Sequence, residues 1–182
     1  MMNDNELTEV VTGREKIFEG KVLNVEKWAV TCPNGMPSFR EVALHRGASA
    51  VVPVDEDGNV YLVRQFRVAP GKVLTEIPAG KLDYAGEDRL EAAKRELREE
   101  TGFTAGTWVH LTDLLTTPGF TNELISIYLA KDLKKGETDF DEDEVIDLEK
   151  MPLTAACDLV RSGVLNDSKT AIGLLLSESY LK

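Results

Sequence analysis

The sequence predicts an α/β fold with a mixed central sheet and a small antiparallel meander at its N-terminal end. Three observations carry this. Strand-like and helix-like stretches interleave without the regular spacing of βαβ units. A stretch rich in Glu, Ala, Leu, Lys and Arg, from Glu87 to Thr101, reads as a helix closed by Gly102. A Pro33-Asn34-Gly35 turn joins two strand-like runs near the start, and Asn-Gly tolerates the positive φ of tight hairpins.

In order along the chain, the first dozen residues are polar and are expected to fray. From Glu15 to Val30 the pattern is strand-like, and Ser38 to His45 is the return strand after the turn. Ala48 to Val54, a turn at Asp55 to Asn59, and Val60 to Phe66 read as a hairpin placed in the central sheet. Leu74 to Pro78 is a short strand leading into Ala79-Gly80. Trp108 to Leu115 and Leu124 to Leu129 are strands separated by a Pro118-Gly119 loop. Lys131 to Asp143 reads as a charged loop, Val145 to Leu148 as a further strand, and Thr154 to Ser162 and Ser168 to Tyr180 as amphipathic helices.

The 182 residues suit one domain with a small appendage, divided as 1–45 and 46–182. The 32 acidic residues outnumber the 21 basic ones, giving a formal charge of −11. That balance argues against a nucleic-acid partner, which needs a basic footprint. Small phosphorylated substrates remain compatible, because a bound cation reverses the local field. Cys32 and Cys157 form no disulfide framework and no zinc spacing. The absence of a leader pattern and of a long apolar run predicts a soluble, cytoplasmic protein with no membrane partner.

The chemistry is expected on the helix. Residues four apart share a helix face, so Glu96 and Glu100 project side by side with Glu99 at their border. Carboxylates crowded in this way repel one another unless a cation lies between them, and such oxygen ligands suit Mg²⁺ or Mn²⁺. A bare Arg95-Glu96-Leu97-Arg98-Glu99-Glu100 string is also what a solvated, ion-paired surface looks like. Its surroundings favour the metal: Gly80 stands where backbone approaches a ligand, and Glu87 is placed at the positive helix start.

The stretch from Gly80 to Phe103 resembles the signature box of Nudix hydrolases. Glu87, Arg95, Glu96, Leu97, Glu99, Glu100, Gly102 and Phe103 match that pattern in spacing. Six residues rather than five separate Gly80 from Glu87, an insertion confined to the loop before the helix. The resemblance implies an α/β/α sandwich fold. It implies Glu96 and Glu100 as ligands of two or three Mg²⁺ ions (Mn²⁺ a substitute), with the Ala79 carbonyl as a further ligand. Glu99 joins them as a third ligand or a catalytic carboxylate, and Arg95 fixes a carboxylate by a charge-assisted hydrogen bond.

Outside the box, Arg40 to His45, Val63 to Arg67, Leu74 to Gly80, and Pro118 followed by Gly119 to Glu123 resemble the ADP-ribose pyrophosphatase subgroup. His45-Arg46-Gly47 departs from the subgroup's His-Pro-Gly. The likeness implies cleavage of ADP-ribose, or a related ADP-sugar, to AMP and ribose 5-phosphate. Glu142 is expected as the general base and Glu144 as a metal ligand. Arg64 and Arg67 are expected to pair with phosphate or stack on adenine, and Glu76 to read the adenine edge or the ribose. Trp28 is placed against the base, and Arg40 is expected to serve the partner's site in a homodimer built through the meander. The alternatives are another nucleotide sugar such as GDP-mannose, or a module that binds ADP-ribose without cutting it.

Overall fold

The computed structural model describes residues 2–136 and 145–180. These residues divide into two compact units, Met1–Arg46 with Leu115–Glu123, and Gly47–Leu114 with Leu124–Lys182.

In the first unit, β1 (Val10–Glu19), β2 (Asn24–Thr31) and β3 (Pro37–Leu44) form an antiparallel sheet in that order. The predicted turn is there: Gly35 has φ +81°, and its N–H donates to the Cys32 carbonyl at 2.8 Å. The predicted fraying is corrected. Asn3 caps a short 3₁₀ turn at Asp4–Glu6, and β1 starts at Val10, paired with Thr31, rather than at Glu15. Every residue of β1 is exposed, so its pairing comes from the backbone ladder and left no apolar alternation to read.

The second unit is built on β4 (Ala48–Pro53), which is buried along its whole length. It is the inner strand of a mixed sheet ordered β7-β4-β9-β8, parallel to β9 (Leu124–Lys135) and antiparallel to β7 (Ala79–Lys81). The remaining strand, β8, spans Phe103–Leu115. Alternate β4 side chains face opposite layers, as a pleated strand requires. Val51 packs with Ala93 and Leu97 of α1 (Arg89–Thr101), whereas Ala50 and Val52 join Ile77, Ile127 and Leu174 on the other face. That second layer holds α2 (Leu153–Arg161) and α3 (Ser168–Ser177). Helix α3 sits close to the sheet at Gly173, where a Cβ would come within 2.9 Å of Val52 Cγ2.

The expected β4–β5 hairpin of the central sheet is also corrected. Both edges of β4 are taken by β7 and β9, so β5 (Asn59–Arg67) meets it at a single bridge, Val54 to Val60. It pairs instead with β6 (Lys72–Glu76) and β10 (Asp147–Pro152) in a separate antiparallel sheet. The start of the expected charged loop is in fact strand, since β9 continues to Lys135, and β10 begins two residues beyond the expected Val145.

Candidate active site

Helix α1 starts at Arg89, two residues later than the expected Glu87. Asp88 is the N-cap, accepting from the N–H groups of Leu90 at 2.9 Å and Glu91 at 3.0 Å. Glu87 accepts from the Asp83 N–H at 2.7 Å and so closes the preceding loop. The helix ends as predicted at Gly102, whose φ of +72° places it in the left-handed region.

Ala92, Ala93 and Leu97 bury the inner face of α1, and two carboxylates share that burial: Glu96 at 8% and Glu100 at 4% exposure. Charged groups are rarely that buried without partners. Both lie against β7. The Ala79 N–H donates to Glu100 Oε2 at 3.1 Å. The Glu96 carboxylate rests on Gly80 so closely that a Cβ there would coincide with it. The glycine is therefore required by contact with its own helix.

Arg95 is the hub of the outer part of the site. Its Nη1 donates to Glu96 Oε1 at 2.7 Å and Glu99 Oε2 at 3.2 Å, and Nη2 donates to the Lys81 carbonyl at 3.2 Å. Asp83 at 3.3 Å and Glu87 at 3.6 Å complete the ring of acids. Burial works against the Arg95 charge, but Glu96, Asp83 and Glu99 outweigh it and hold its pKa above the usual value.

Among the described residues no three acidic, histidine or cysteine side chains converge into a finished metal cluster. The donors present are nonetheless of the right kind. Two buried carboxylates, a third at Glu99 and the backbone of Ala79–Gly80 offer hard oxygen ligands that fit a divalent cation, with water and substrate oxygens to complete its shell. Glu142 and Glu144 lie outside the described residues.

A second charged group forms at the end of β6. Glu76, 1% exposed, accepts from Arg67 Nε and Nη2, both at 2.9 Å, and also from Lys169. Burial pushes the Glu76 carboxyl up, but Arg67 and Lys169 more than offset this and hold its pKa below the usual value. Arg64 points elsewhere, to Asp147 at 3.0 Å and Glu149 at 3.8 Å. In the first unit Trp28 stands opposite Arg40. The indole N–H of Trp28 donates to Glu26 at 2.7 Å, and the Arg14 guanidinium lies 4.2 Å over its ring. Arg40 pairs with Glu9 and donates to the Phe39 carbonyl at 2.8 Å.

The structure thus brings Ala79, Arg95, Glu96, Glu99 and Glu100 together, and Arg67 with Glu76. Sequence reasoning missed Asp83, Asp167 and Lys169. The only local signal was Asp167 as the cap of α3, accepting from the Thr170 N–H at 3.0 Å.

Comparison with known proteins follows the same lines. A profile of the NUDIX domain matches residues 43–171. The chain is 39% identical over 170 residues to an ADP-ribose pyrophosphatase of Bacillus subtilis (strain 168), spanning 92% of this chain and 91% of that one. It is 40% identical over 162 residues to a methanol dehydrogenase activator of Bacillus methanolicus, spanning 88% and 87%. A crystal structure of an ADP compounds hydrolase matches with a TM-score of 0.83 at 26% identity, over 96% of this chain and 95% of that one.

Proposed function

We propose that this chain, which belongs to the Nudix family, hydrolyses the pyrophosphate linkage of ADP-ribose to AMP and ribose 5-phosphate with the help of Mg²⁺. The observation that carries the reading is the buried pair Glu96 and Glu100, held against Gly80 and Ala79 at the mouth of β7. The relatives whose names specify ADP-ribose or ADP compounds support this substrate over GDP-mannose.

Glu96 and Glu100, with the Ala79 carbonyl, would hold the divalent cation, and Glu144 is assigned as a further ligand. When bound, such an ion would supply charge neutralisation for the diphosphate and a lowered pKa for a water. Arg95 keeps Glu96 and Glu99 from rotating into solvent, so the ligands are preorganised. Glu142 is assigned to accept the proton of the attacking water. Arg67 offers the edge not used by Glu76 to phosphate oxygens. Glu76 reaches the substrate through Arg67, since its carboxylate is buried and already bonded. Arg64, Trp28 and Arg40 are assigned outer contacts to phosphate and base.

A homodimer through the first unit is part of the proposal. Its sheet leaves Val10, Ile17, Phe18 and Phe39 more than half exposed, an apolar surface of the kind that subunit contacts cover. Sedimentation at micromolar concentration tests this, and a monomer refutes it. A cytoplasmic location is part of the proposal; no helix among the described residues is long and apolar enough to cross a membrane.

A panel of nucleotide sugars with Mg²⁺ and product identification tests the activity. AMP and ribose 5-phosphate from ADP-ribose are expected; turnover of GDP-mannose alone refutes the substrate assignment. Loss of turnover in Glu142→Gln with substrate binding retained supports the base.

A further inference from the structure

Lysine is among the side chains least often buried, yet Lys169 is only 9% exposed. It is the second residue of α3, and its ammonium donates to Glu76 Oε2 and, at 3.0 Å, to Asp167 Oδ2. The next residue adds a second tie. Thr170 Oγ1 accepts from the buried Ile77 N–H at 2.9 Å and donates to Asp167 Oδ2 at 2.6 Å. The first turn of α3 therefore grips two consecutive residues, Glu76 and Ile77. Just beyond them lies Ala79, whose N–H holds Glu100.

The charges make this grip consequential. Glu76 and Asp167 bring two negative charges, and Lys169 sits between them, with Arg67 on the other flank of Glu76. Without Lys169, Arg67 alone faces both carboxylates. With it, Glu76 engages Nε and Nη2 of Arg67, and among the described residues Nη1 makes no hydrogen bond. Arg67 has a raised pKa, chiefly from its hydrogen bond to Glu76 and against its burial, with Glu100 among the contributing charges. Arg67 thus lies within electrostatic reach of Glu100.

The geometry points to Lys169 as a positioning residue for diphosphate recognition: it holds Glu76 from the rear, and Glu76 in turn sets the Arg67 guanidinium for the substrate's phosphates. Helix α3, remote in sequence from the signature helix, then belongs to the binding apparatus. The inference rests on the diphosphatase reading above. It differs from simple charge neutralisation in requiring that Lys169 act through Arg67.

A double-mutant cycle on the full chain decides between these. Lys169→Gln is expected to raise KM for ADP-ribose about tenfold, with kcat changed much less, and Lys169→Arg to recover most of the loss. The variant carrying both Arg67→Ala and Lys169→Gln should lose no more in kcat/KM than Arg67→Ala alone. Losses that multiply, or an unchanged KM in Lys169→Gln, overturn the proposal. Lys169→Met, which keeps the length of the side chain without its charge, carries the cycle should Lys169→Gln fail to fold. The same variants titrated by calorimetry with the α,β-methylene analogue of ADP-ribose separate binding from turnover. A wild-type chain that binds the analogue but does not cleave ADP-ribose refutes the hydrolase reading alone, and the cycle in Kd then decides for Lys169. A wild-type chain that does not bind the analogue overturns both.

Discussion

Replacing Gly80 by alanine separates the site's chemistry from its fold. The backbone of Gly80 does not have positive φ, so alanine is admissible there. Its Cβ would meet the Glu96 carboxylate, the far end of a flexible side chain rather than backbone. The strand therefore stays and the carboxylate moves. Moving it breaks the 2.7 Å bond from Arg95, a charge-assisted contact of ~1.5–3 kcal/mol. A strained rotamer adds about 0.5–1.5 kcal/mol. Losing the freedom of glycine in the unfolded chain returns about 0.4–1 kcal/mol. The net cost is about 1–4 kcal/mol, or roughly 2–16 °C in Tm for a chain of this size. Catalysis suffers more, because a ligand misplaced by about 1 Å costs on the order of a hundredfold. Thermal melting and kcat/KM for ADP-ribose in Mg²⁺ are the paired measurements. Activity within about threefold of wild type would refute the placement of Glu96. Failure to fold would show that the backbone, not the carboxylate, takes the clash.

Three further outcomes are expected. Glu100→Gln keeps an acceptor for the Ala79 N–H and should melt near wild type, while turnover falls by more than about a hundredfold, beyond the loss from an outer-shell partner; full activity refutes the ligand assignment. Asp55, paired with Lys150 and bonded to Asn59, has its pKa lowered from 3.8 to about 2 although burial opposes this. A depressed carboxyl stabilises fully above its unfolded pKa and loses that contribution as pH falls through the folded one, so Asp55→Asn should cost ~2 kcal/mol at neutral pH and converge on wild type near pH 2 in denaturant titrations. A gap that persists at pH 2 refutes the electrostatic origin. Gly102→Ala forces a Cβ into the left-handed region and should cost about 1–2 kcal/mol in denaturant unfolding, with none expected if the cap relaxes.

What the sequence made legible was whatever depends on near neighbours. The carboxylates of α1 were readable because a helix fixes the face shared by residues four apart. Gly35 and Gly102 were readable because each meets a positive φ in its own turn or cap. Pairing across distance was not. The Val60 to Phe66 run was correct as strand but misplaced, since what excludes it from the central sheet is the pairing of Ile125 to Ala130 with β4. The β1 start at Val10 was hidden for a related reason, since its partner Thr31 lies at the far end of the next strand. Lys169 and Glu76 lie 93 residues apart, and nothing in either neighbourhood names the other. The helix began two residues after the expected Glu87 because the short Asp88 side chain caps the first N–H groups.

The acid ring around Arg95 explains how a chain with a formal charge of −11 handles an anionic substrate. Asp83, Glu87, Glu96 and Glu99 all lie within 3.6 Å of its one guanidinium. Arg95 is thereby committed to the protein's own carboxylates and has no charge to spare for a diphosphate. Arg67 retains one edge, which is too little to bring two phosphates beside Glu96 and Glu100. On the proposed reading the main attraction comes from a cation that those two carboxylates would hold, and the same ion would serve binding as well as chemistry. Chelation should accordingly weaken affinity for ADP-ribose, not turnover alone. Calorimetry with the methylene analogue reads this directly: an unchanged Kd after removal of divalent ions would place phosphate recognition on the protein's cations instead.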